Sequence, residues 1–213
     1  MNTLVAVPCM DMMYTKFVHS LFSLTMGGDH EVRFVESSLI YDSRNQIVAK
    51  AVDGDYDRLL WLDSDMTFDQ TMIAYLHQDL DAGYDIVSGL CFGRKPPIRP
   101  VIFKECYLQE LEGGLLNPVS KRYEDYPRDM LFEVAAFGGA CVMMKVDALR
   151  RIVEKYGRML YMPIPGFGED LSFCLRAKMA GERLWCDSRA TIGHIGLKIY
   201  DEQEWLRSKN DGS

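Results

Sequence analysis

The stretch Arg58-Leu-Leu-Trp-Leu-Asp-Ser-Asp65 decides how this chain can fold. Its apolar run predicts a buried strand, and two aspartates follow it directly. Because side chains alternate along a strand, Asp63 and Asp65 would point to the same side if the strand geometry continued through them. Two such carboxylates repel each other unless a proton or a cation lies between them. Mg²⁺ and Mn²⁺ favour oxygen ligands and often join carboxylates to substrate phosphates, so one prediction is a metal-dependent site for a phosphorylated substrate. The alternative is a turn whose aspartates cap a helix that begins near Asp69.

Composition limits the class of protein. The chain has 213 residues, 48% of them hydrophobic, which suffices for the core of one domain. The net charge of −7 argues against a nucleic-acid-binding protein, which usually has a basic face. No segment has the roughly 18 apolar residues of a transmembrane span, and the N-terminus lacks the basic region of a signal peptide. The six cysteines include no C-x-x-C pair and indicate reduced thiols, so we expect a soluble cytoplasmic protein.

Strand and helix patterns alternate through the first half of the chain. Strands are predicted at 4–7, 32–35, 58–62 and 85–90, with helices at 14–25, 43–52 and 70–80. Such alternation implies parallel strands joined by right-handed crossovers, and ligands bind beyond the carboxyl ends of such strands. Asp63 and Asp65 occupy one of these ends, which favours the site over the turn.

The pattern changes after Phe92. Three prolines within 94–100 exclude a helix or a central strand there. Residues 104–130 are polar and predict a long, partly ordered insertion of the kind that forms lids or specificity elements. The remaining predicted elements are strands at 132–137, 140–144 and 183–186, helices at 147–156 and 168–180, and a charged tail after residue 196 that frays.

A second acidic pair, Glu169-Asp170, lies at the start of the predicted helix 168–180. Acidic side chains at a helix N-terminus cap the helix and interact favourably with its dipole, which is the structural interpretation. The functional interpretation is a general base that removes a proton from an attacking hydroxyl. His194 has a glycine close on either side and is likewise open to two interpretations, a metal ligand or an ordinary loop residue.

The second predicted helix opens with Ser43-Arg44-Asn45. Arginine suits phosphate recognition and helix N-terminal amides attract anions, so this turn is a candidate phosphate-binding element. A cap by Ser43 with a solvated arginine is the alternative. Glu36, at the end of the second strand, could accept hydrogen bonds from a base or a ribose. No G-x-G-x-x-G or P-loop sequence supports a dinucleotide or Walker-type site.

Several motifs occur in a recognisable order. A strand ends in Val7-Pro8, and Ser-Arg-Asn and Leu-Trp-Leu-Asp-Ser-Asp follow it. Then come Gly-Phe-Gly-Glu-Asp-Leu-Ser-Phe-Cys-Leu-Arg and a late histidine. Over residues 3–196 the chain thus resembles a GT-A-fold glycosyltransferase of the family-two-like group, in the compact form found in bacteria and phages, although 104–130 matches nothing in that pattern.

The resemblance implies an α/β, Rossmann-like GT-A fold. Its mostly parallel central sheet would be flanked by helices and joined to a smaller acceptor half of mixed strands. One domain would cover 1–196, with a nucleotide-binding half at about 1–92 and an acceptor half at about 93–196. Residues 197–213 would form a C-terminal tail.

The resemblance also implies residue roles. Asp65, Asp63 and His194 would hold Mn²⁺ or Mg²⁺, with Asp63 contacting the ribose, or the metal through water. Asp170, with Glu169 beside it, would face the acceptor as the catalytic base. The donor pocket would be lined by Pro8, Glu36, Arg44, Asn45, Asp63, Ser64, Gly138 and Gly139.

The implied reaction moves a sugar from a nucleoside-diphosphate sugar to a hydroxyl. UDP-sugars are the expected donors, and the acceptor is an unidentified glycan, protein or small molecule. The metal would neutralise charge on the leaving diphosphate. The absence of a Q-x-x-R-W motif argues against a processive polysaccharide synthase. Whether the anomeric centre inverts or is retained stays open.

Two other functions compete with this one. Asp63-Ser-Asp-Met-Thr67 fits the D-x-D-x-T signature of haloacid-dehalogenase-type phosphatases, in which the first aspartate is the nucleophile. That motif usually follows the first strand, whereas two strand–helix units precede it here. A non-catalytic nucleotide-sugar-binding protein is the other alternative, favoured if Glu169 and Asp170 only cap a helix.

Overall fold

The computed structural model describes residues 1–24, 29–37, 39–196 and 199–210. The helices of these residues are α1 (Thr15–Ser23), α2 (Ile40–Asp53), α3 (Gln70–Asp81), α4 (Val146–Tyr156), α5 (Glu169–Ala180) and α6 (Glu202–Asn210). The strands are β1 (Asn2–Cys9), β2 (Asp29–Glu36), β3 (Arg58–Leu62), β4 (Met66–Thr67), β5 (Ile86–Leu90), β6 (Ile102–Glu110), β7 (Leu116–Arg122), β8 (Leu131–Val134), β9 (Ala136–Phe137), β10 (Cys141–Lys145), β11 (Leu184–Thr191), β12 (Gly193–Ile195) and β13 (Ile199–Tyr200).

Within the described residues, seven strands form the central sheet in the order β2-β1-β3-β10-β5-β11-β8. The pairs β1–β2, β1–β3 and β5–β11 are parallel, whereas β10 and β8 run antiparallel to their neighbours. Five of the seven strands therefore share one direction. The prediction of an α/β, Rossmann-like fold with a mostly parallel sheet is confirmed at this level.

Helices cover both faces of the sheet, and the alternation of strand side chains explains why. Along β3, Leu59 and Trp61 join one buried apolar cluster while Leu60 and Leu62 join the other. Residues of α2, α4 and α5 belong to the first cluster, and residues of α1 and α3 belong to the second. Because both faces are covered, β3 is apolar after Arg58, and all five of its residues are buried.

Strands from beyond residue 92 complete the central sheet. β10 lies between β3 and β5, and β11 and β8 form the far edge. The division of the domain into a nucleotide-binding half and an acceptor half remains a prediction, but these halves share one sheet. All six cysteines are buried and free.

The predicted insertion at 104–130 is largely an ordered hairpin, so the prediction of a partly ordered segment is wrong for most of its length. β6 and β7 pair antiparallel, and the chain turns between them at Gly113 and Gly114, which have φ of 83° and 76°. Its polar composition reflects a hairpin whose strands are largely exposed.

The prediction of a fraying tail is also wrong for residues 199–210. β13 pairs with β12, and α6 places Trp205 in the core at 2% exposure. The Trp205 ring packs 5.4 Å from the ring of Phe92 and 5.6 Å from that of Tyr126. Among the described residues, we find no helix with the length and apolar character needed to span a membrane.

Candidate functional site

Asp63 and Asp65 follow the carboxyl end of β3 and contact different partners. The Asp63 amide donates to the carbonyl of Ala140 at 2.9 Å, which keeps it at the sheet edge. Ser64 and Asp65 then form a turn, so the strand geometry does not continue through both aspartates. In this structure the two carboxylates have different partners, and whether they share one cation remains a prediction. Neither caps the following helix, since Asp69 caps α3 through the amides of Thr71 and Met72.

Asp65 meets His194 through strand pairing. β4 pairs with β12, and the amide of Ile195 donates to the carbonyl of Asp65 at 2.7 Å. His194 Nε2 lies 3.2 Å from Asp65 Oδ2, and Arg94 Nη1 lies 2.8 Å from the same oxygen. Burial alone would raise the pKa of Asp65, but the hydrogen bond from His194 and the charge of Arg94 lower it below its ordinary value.

The orientation of the imidazole has a chemical consequence. His194 Nδ1 lies 2.9 Å from the carbonyl oxygen of Phe92, which can only accept, so Nδ1 carries a proton. Nε2 then faces the Asp65 carboxylate, as a donor when the ring carries both protons and through its lone pair when the ring is neutral. Two electron-rich groups in contact require a proton or a cation between them. Asp65 and His194 therefore fit a divalent metal ion, oriented by the backbone as metal-binding histidines commonly are.

A complete metal cage is not built from protein side chains. In the part of the chain that the structure describes, no group of three or more His, Cys, Asp or Glu side chains is arranged to hold a metal ion. Mg²⁺ and Mn²⁺ commonly take one or two protein ligands and complete their coordination with water and substrate phosphates. The pair of Asp65 and His194 matches that kind of site and not a structural one.

Arg44 joins Asp63 to the acidic pair of α5. Its Nη2 lies 2.9 Å from Asp63 Oδ1 and 3.7 Å from Asp170 Oδ1. The guanidinium lies over the rings of Trp61 and Tyr161, at 5.1 and 5.5 Å from their centroids, and the side chain is 1% exposed. Arg44 is thus a buried cation that lies between the carboxylates of Asp63 and Asp170.

The prediction that Ser43-Arg44-Asn45 opens a helix is wrong. α2 begins three residues earlier, at Ile40. Ser43, Arg44 and Asn45 therefore lie within the helix, and its free N-terminal amides belong to residues that precede them. Arg44 and Asn45 are buried behind the site, and Asn45 Oδ1 accepts from the amide of Tyr161 at 2.9 Å. Both side chains lie in the protein interior next to the site and do not line its surface.

The acidic groups around Arg44 have shifted pKa values. Burial raises the pKa of Asp63 to about 6, against the opposing effect of Arg44, and the charges of Asp170, Asp65 and Glu169 raise it further. Burial, and then Asp170, raises the pKa of Glu169. Burial opposes the charge on Arg44, but Asp63 and Asp170 outweigh it and raise the pKa of the guanidinium. The cluster therefore contains more acidic groups than cations.

The start of α5 aims Asp170 at this cluster. The N-cap residue is Gly168, which has no side chain that could cap the helix. Glu169 and Asp170 occupy the first two helical positions. Asp170 Oδ1 is buried and accepts no hydrogen bond from the described residues. A side chain at Gly139 would collide with this oxygen and lie 2.8 Å from Arg44 Nη2, so glycine is needed for the close approach.

A cleft beside these residues could receive a ligand. This Pro8 pocket has a volume of about 240 Å³ and is lined by Pro8, Cys9, Met10, Ser37, Ile40, Ser43, Asp63, Ser64 and Asp65. Of the predicted donor-binding residues, Pro8, Asp63 and Ser64 line it. Glu36 ends β2 opposite Cys9, at the margin of the pocket. Gly138 lies against Val101, where an added Cβ would be 2.7 Å from Cγ1.

Sequence reasoning missed Arg94, which contacts Asp65, and the aromatic pair around Arg44. Arg94 follows β5 in a proline-rich loop, and no local pattern links it to an aspartate 29 residues earlier. The rings that surround Arg44 come from Trp61 and Tyr161, which are 100 residues apart in the chain, so the sequence near Arg44 does not indicate them. The contacts form two separate sets. His194 contacts Asp65, and Arg44 contacts both Asp63 and Asp170.

The comparisons with known proteins agree with the fold. No family model matches the chain, and no curated protein does. Among solved structures, A197 from STIV is similar with a TM-score of 0.62 and 18% identity, over 92% of this chain and 86% of that one. A fragment of S. aureus TarS, residues 1–349, is similar with a TM-score of 0.53 and 14% identity, over 88% of this chain and 58% of the fragment. TarS is a glycosyltransferase, and at this identity the likeness concerns the fold alone.

Proposed function

We propose that this protein is a GT-A-fold glycosyltransferase that depends on a divalent cation, Mn²⁺ or Mg²⁺. It would move a sugar from a nucleoside-diphosphate sugar, with UDP-sugars as the expected donors, to a hydroxyl. The observation that carries the proposal is the contact between Asp65 Oδ2 and His194 Nε2 at 3.2 Å, beside the Pro8 pocket at the carboxyl edge of the sheet. The distant likeness to a glycosyltransferase supports it.

Asp65 and His194 would hold the metal, with Asp63 close by in the same turn. When bound, the ion would supply a Lewis acid that neutralises the charge on the leaving diphosphate. His194 is already oriented for this role by the carbonyl of Phe92. Arg94 is the group that occupies the Asp65 carboxylate here, and its half-exposed side chain can move away.

Asp170, with Glu169 beside it, would serve as the base of an inverting transfer. The acceptor hydroxyl would give its proton to the Asp170 carboxylate as its oxygen bonds to the anomeric carbon. The bond from that carbon to the diphosphate oxygen would break at the same time, and the diphosphate would leave with the electron pair. Arg44 would fix the carboxylate in place, and the Pro8 pocket would hold the nucleotide.

A donor assay separates this proposal from its alternatives. The protein is incubated with Mn²⁺ and a panel of nucleoside-diphosphate sugars, and nucleotide release and thermal stability are measured. The proposal expects stabilisation by one nucleotide and slow release from its sugar conjugate. Turnover of a simple phosphate ester without nucleotide binding would favour the phosphatase. Binding without release, with every acceptor tried, would favour the binding protein.

Asp170→Asn tests the base separately. The asparagine keeps the shape of the side chain but cannot take the proton, so donor binding should persist while transfer falls by at least about 100-fold. Glu154→Gln, on α4 and away from the cluster, is the matched control and should keep full activity. Full activity per folded molecule in Asp170→Asn, accompanied by lower stability, would show that the residue only supports the helix.

A further inference from the structure

A second cleft, next to Asp65, is lined mainly by cations. This basic cleft has a volume of about 440 Å³ and is lined by Gly93, Arg94, Lys95, Pro97, Arg99 and Arg122. Four of the six lining residues are positively charged and none is acidic, although the whole chain has a net charge of −7. Such a concentration of one sign attracts an oppositely charged ligand.

The charge in the basic cleft is poorly compensated. Lys95 forms no ion pair with the described residues. Arg99 pairs with Glu124 at 3.3 Å, but both side chains are well exposed, so the pair is weak. Arg122 donates to the carbonyl of Pro100 at 2.7 Å and lies over the ring of Phe103, without a carboxylate among the described residues. Burial, and then neighbouring Arg99, lowers the pKa of Arg122, and the charge of Glu124 offsets this only in part.

The basic cleft lies between the two ends of the candidate active site. At one end, Arg94 contacts the Asp65 carboxylate. At the other, a neighbouring cleft of about 710 Å³ shares Arg99 and Arg122 and reaches Leu171, the residue after Asp170. A ligand held by Arg94 therefore lies beside the Asp65–His194 pair. The neighbouring cleft, which is also lined by Glu124 and Asp125, leads from Arg99 and Arg122 toward the start of α5.

We propose that the basic cleft binds a phosphate group of the acceptor, so that the acceptor is a phosphorylated molecule or polymer that also carries the reacting hydroxyl. The assignment to the acceptor rests on the proposed function. Guanidinium groups match phosphate oxygens in two-pronged geometry, and three of them line this one cleft. In the proposed function the donor diphosphate lies at the Pro8 pocket and Asp65, and this pocket shares no lining residue with the basic cleft.

Binding of two probes to matched variants tests this inference. Lys95→Gln/Arg99→Gln removes two cations from the basic cleft, and Arg150→Gln/Arg183→Gln removes two exposed cations elsewhere. Calorimetry measures sn-glycerol 3-phosphate without metal as the acceptor-like probe, and UDP with Mn²⁺ as the donor-like probe. Urea unfolding verifies that all variants are folded.

We expect the wild-type protein to bind glycerol phosphate with a Kd of about 1 mM, and the cleft variant to bind it at least about tenfold more weakly. The control variant should bind it like the wild type, and both variants should bind UDP with Mn²⁺ within about twofold of the wild type. If glycerol phosphate binding follows the cleft charges but UDP binds to no protein, the phosphate site is supported and the transferase proposal fails.

Three results would overturn the inference. The first is no binding of glycerol phosphate by the wild-type protein, and the second is equal weakening in the cleft and control variants. The third is a loss of UDP binding in the cleft variant as large as its loss of glycerol phosphate binding, which would assign the basic cleft to the donor diphosphate.

Discussion

Asp63 and Asp65 are two residues apart, yet their cationic partners differ in almost every respect. Arg44, the partner of Asp63, is 1% exposed and lies between two aromatic rings. Arg94, the partner of Asp65, is 46% exposed and projects from a loop. A buried cation that no water can replace is a permanent part of the fold, whereas an exposed one can exchange with a ligand. The comparison therefore distinguishes a carboxylate whose cationic partner is buried in the core from one whose cationic partner is exposed.

The largest expected effect is on the buried side. Arg44→Met should lower the free energy of unfolding by about 3–5 kcal/mol, because it leaves the carboxylates of Asp63 and Asp170 without their shared cation. Urea unfolding at pH 7 measures the loss. Arg150→Met removes an exposed arginine of α4 and should change stability by less than about 0.5 kcal/mol. Equal losses in the two variants would show that Arg44 is no different from a surface residue.

On the exposed side, Asp65→Asn should leave folding intact but remove the response to ligand. UDP at 100 times its Kd, with Mn²⁺, should stabilise the wild-type protein by about 2.7 kcal/mol, and this gain should vanish in the variant. Thermal unfolding with and without ligand measures it. Asp69→Asn keeps a helix-capping side chain close by and should retain the full gain. A ligand response that survives in Asp65→Asn would remove this residue from the metal site.

The pH dependence of stability should have opposite signs for the two aspartates. The folded pKa of Asp63 is raised from 3.8 to about 6, so between these values the folded state binds more protons than the unfolded state. Stability contributed by Asp63 therefore falls as pH rises from 4 to 6, by roughly 1–3 kcal/mol. The folded pKa of Asp65 is lowered, so its contribution is present above pH 4 and is lost as pH falls.

Urea unfolding of Asp63→Asn, Asp65→Asn and the wild-type protein, at several pH values, isolates each contribution. The stability of the wild type relative to Asp63→Asn should decrease as the pH rises from 4 to 6. The stability of the wild type relative to Asp65→Asn should decrease as the pH falls below about 4. Two differences of the same sign would show that the settings of the aspartates are alike.

The smallest expected effect concerns the exposed cation itself. Arg94→Gln should change the free energy of unfolding by less than about 1 kcal/mol, because exposed ion pairs contribute little. Set beside Arg44→Met in the same urea titration, it measures how far burial magnifies an arginine–aspartate contact. A loss of several kcal/mol would place Arg94 among the fixed parts of the fold.

Local patterns in the sequence were enough to predict most of the central sheet. β3 is an unbroken apolar run because helices cover both faces of the sheet, and α3 and α5 lie within one or two residues of their predicted bounds. D-x-D, the acidic pair and His194 were picked out as candidates because such residue types carry chemistry at strand ends and helix starts. Their roles as ligands and base remain predictions.

What the sequence did not predict depends on contacts between distant segments. The hairpin of β6 and β7 has few buried side chains, so it lacks the apolar alternation that marks a strand. α6 is ordered by one tryptophan that packs against rings far away in the chain. Arg44 looked like a phosphate ligand because nothing near it in sequence indicates Trp61 and Tyr161 around it.

The hydrogen bond from His194 Nδ1 to the main chain at Phe92 has an evolutionary consequence. A backbone carbonyl is present whichever amino acid occupies position 92, so no point substitution there can delete the acceptor. The position of the proton on the ring therefore depends on the path of the backbone and not on the identity of the side chain at position 92. A substitution of the buried Phe92 would change its packing against Trp205 on α6, but the carbonyl that turns the other ring nitrogen toward Asp65 would remain.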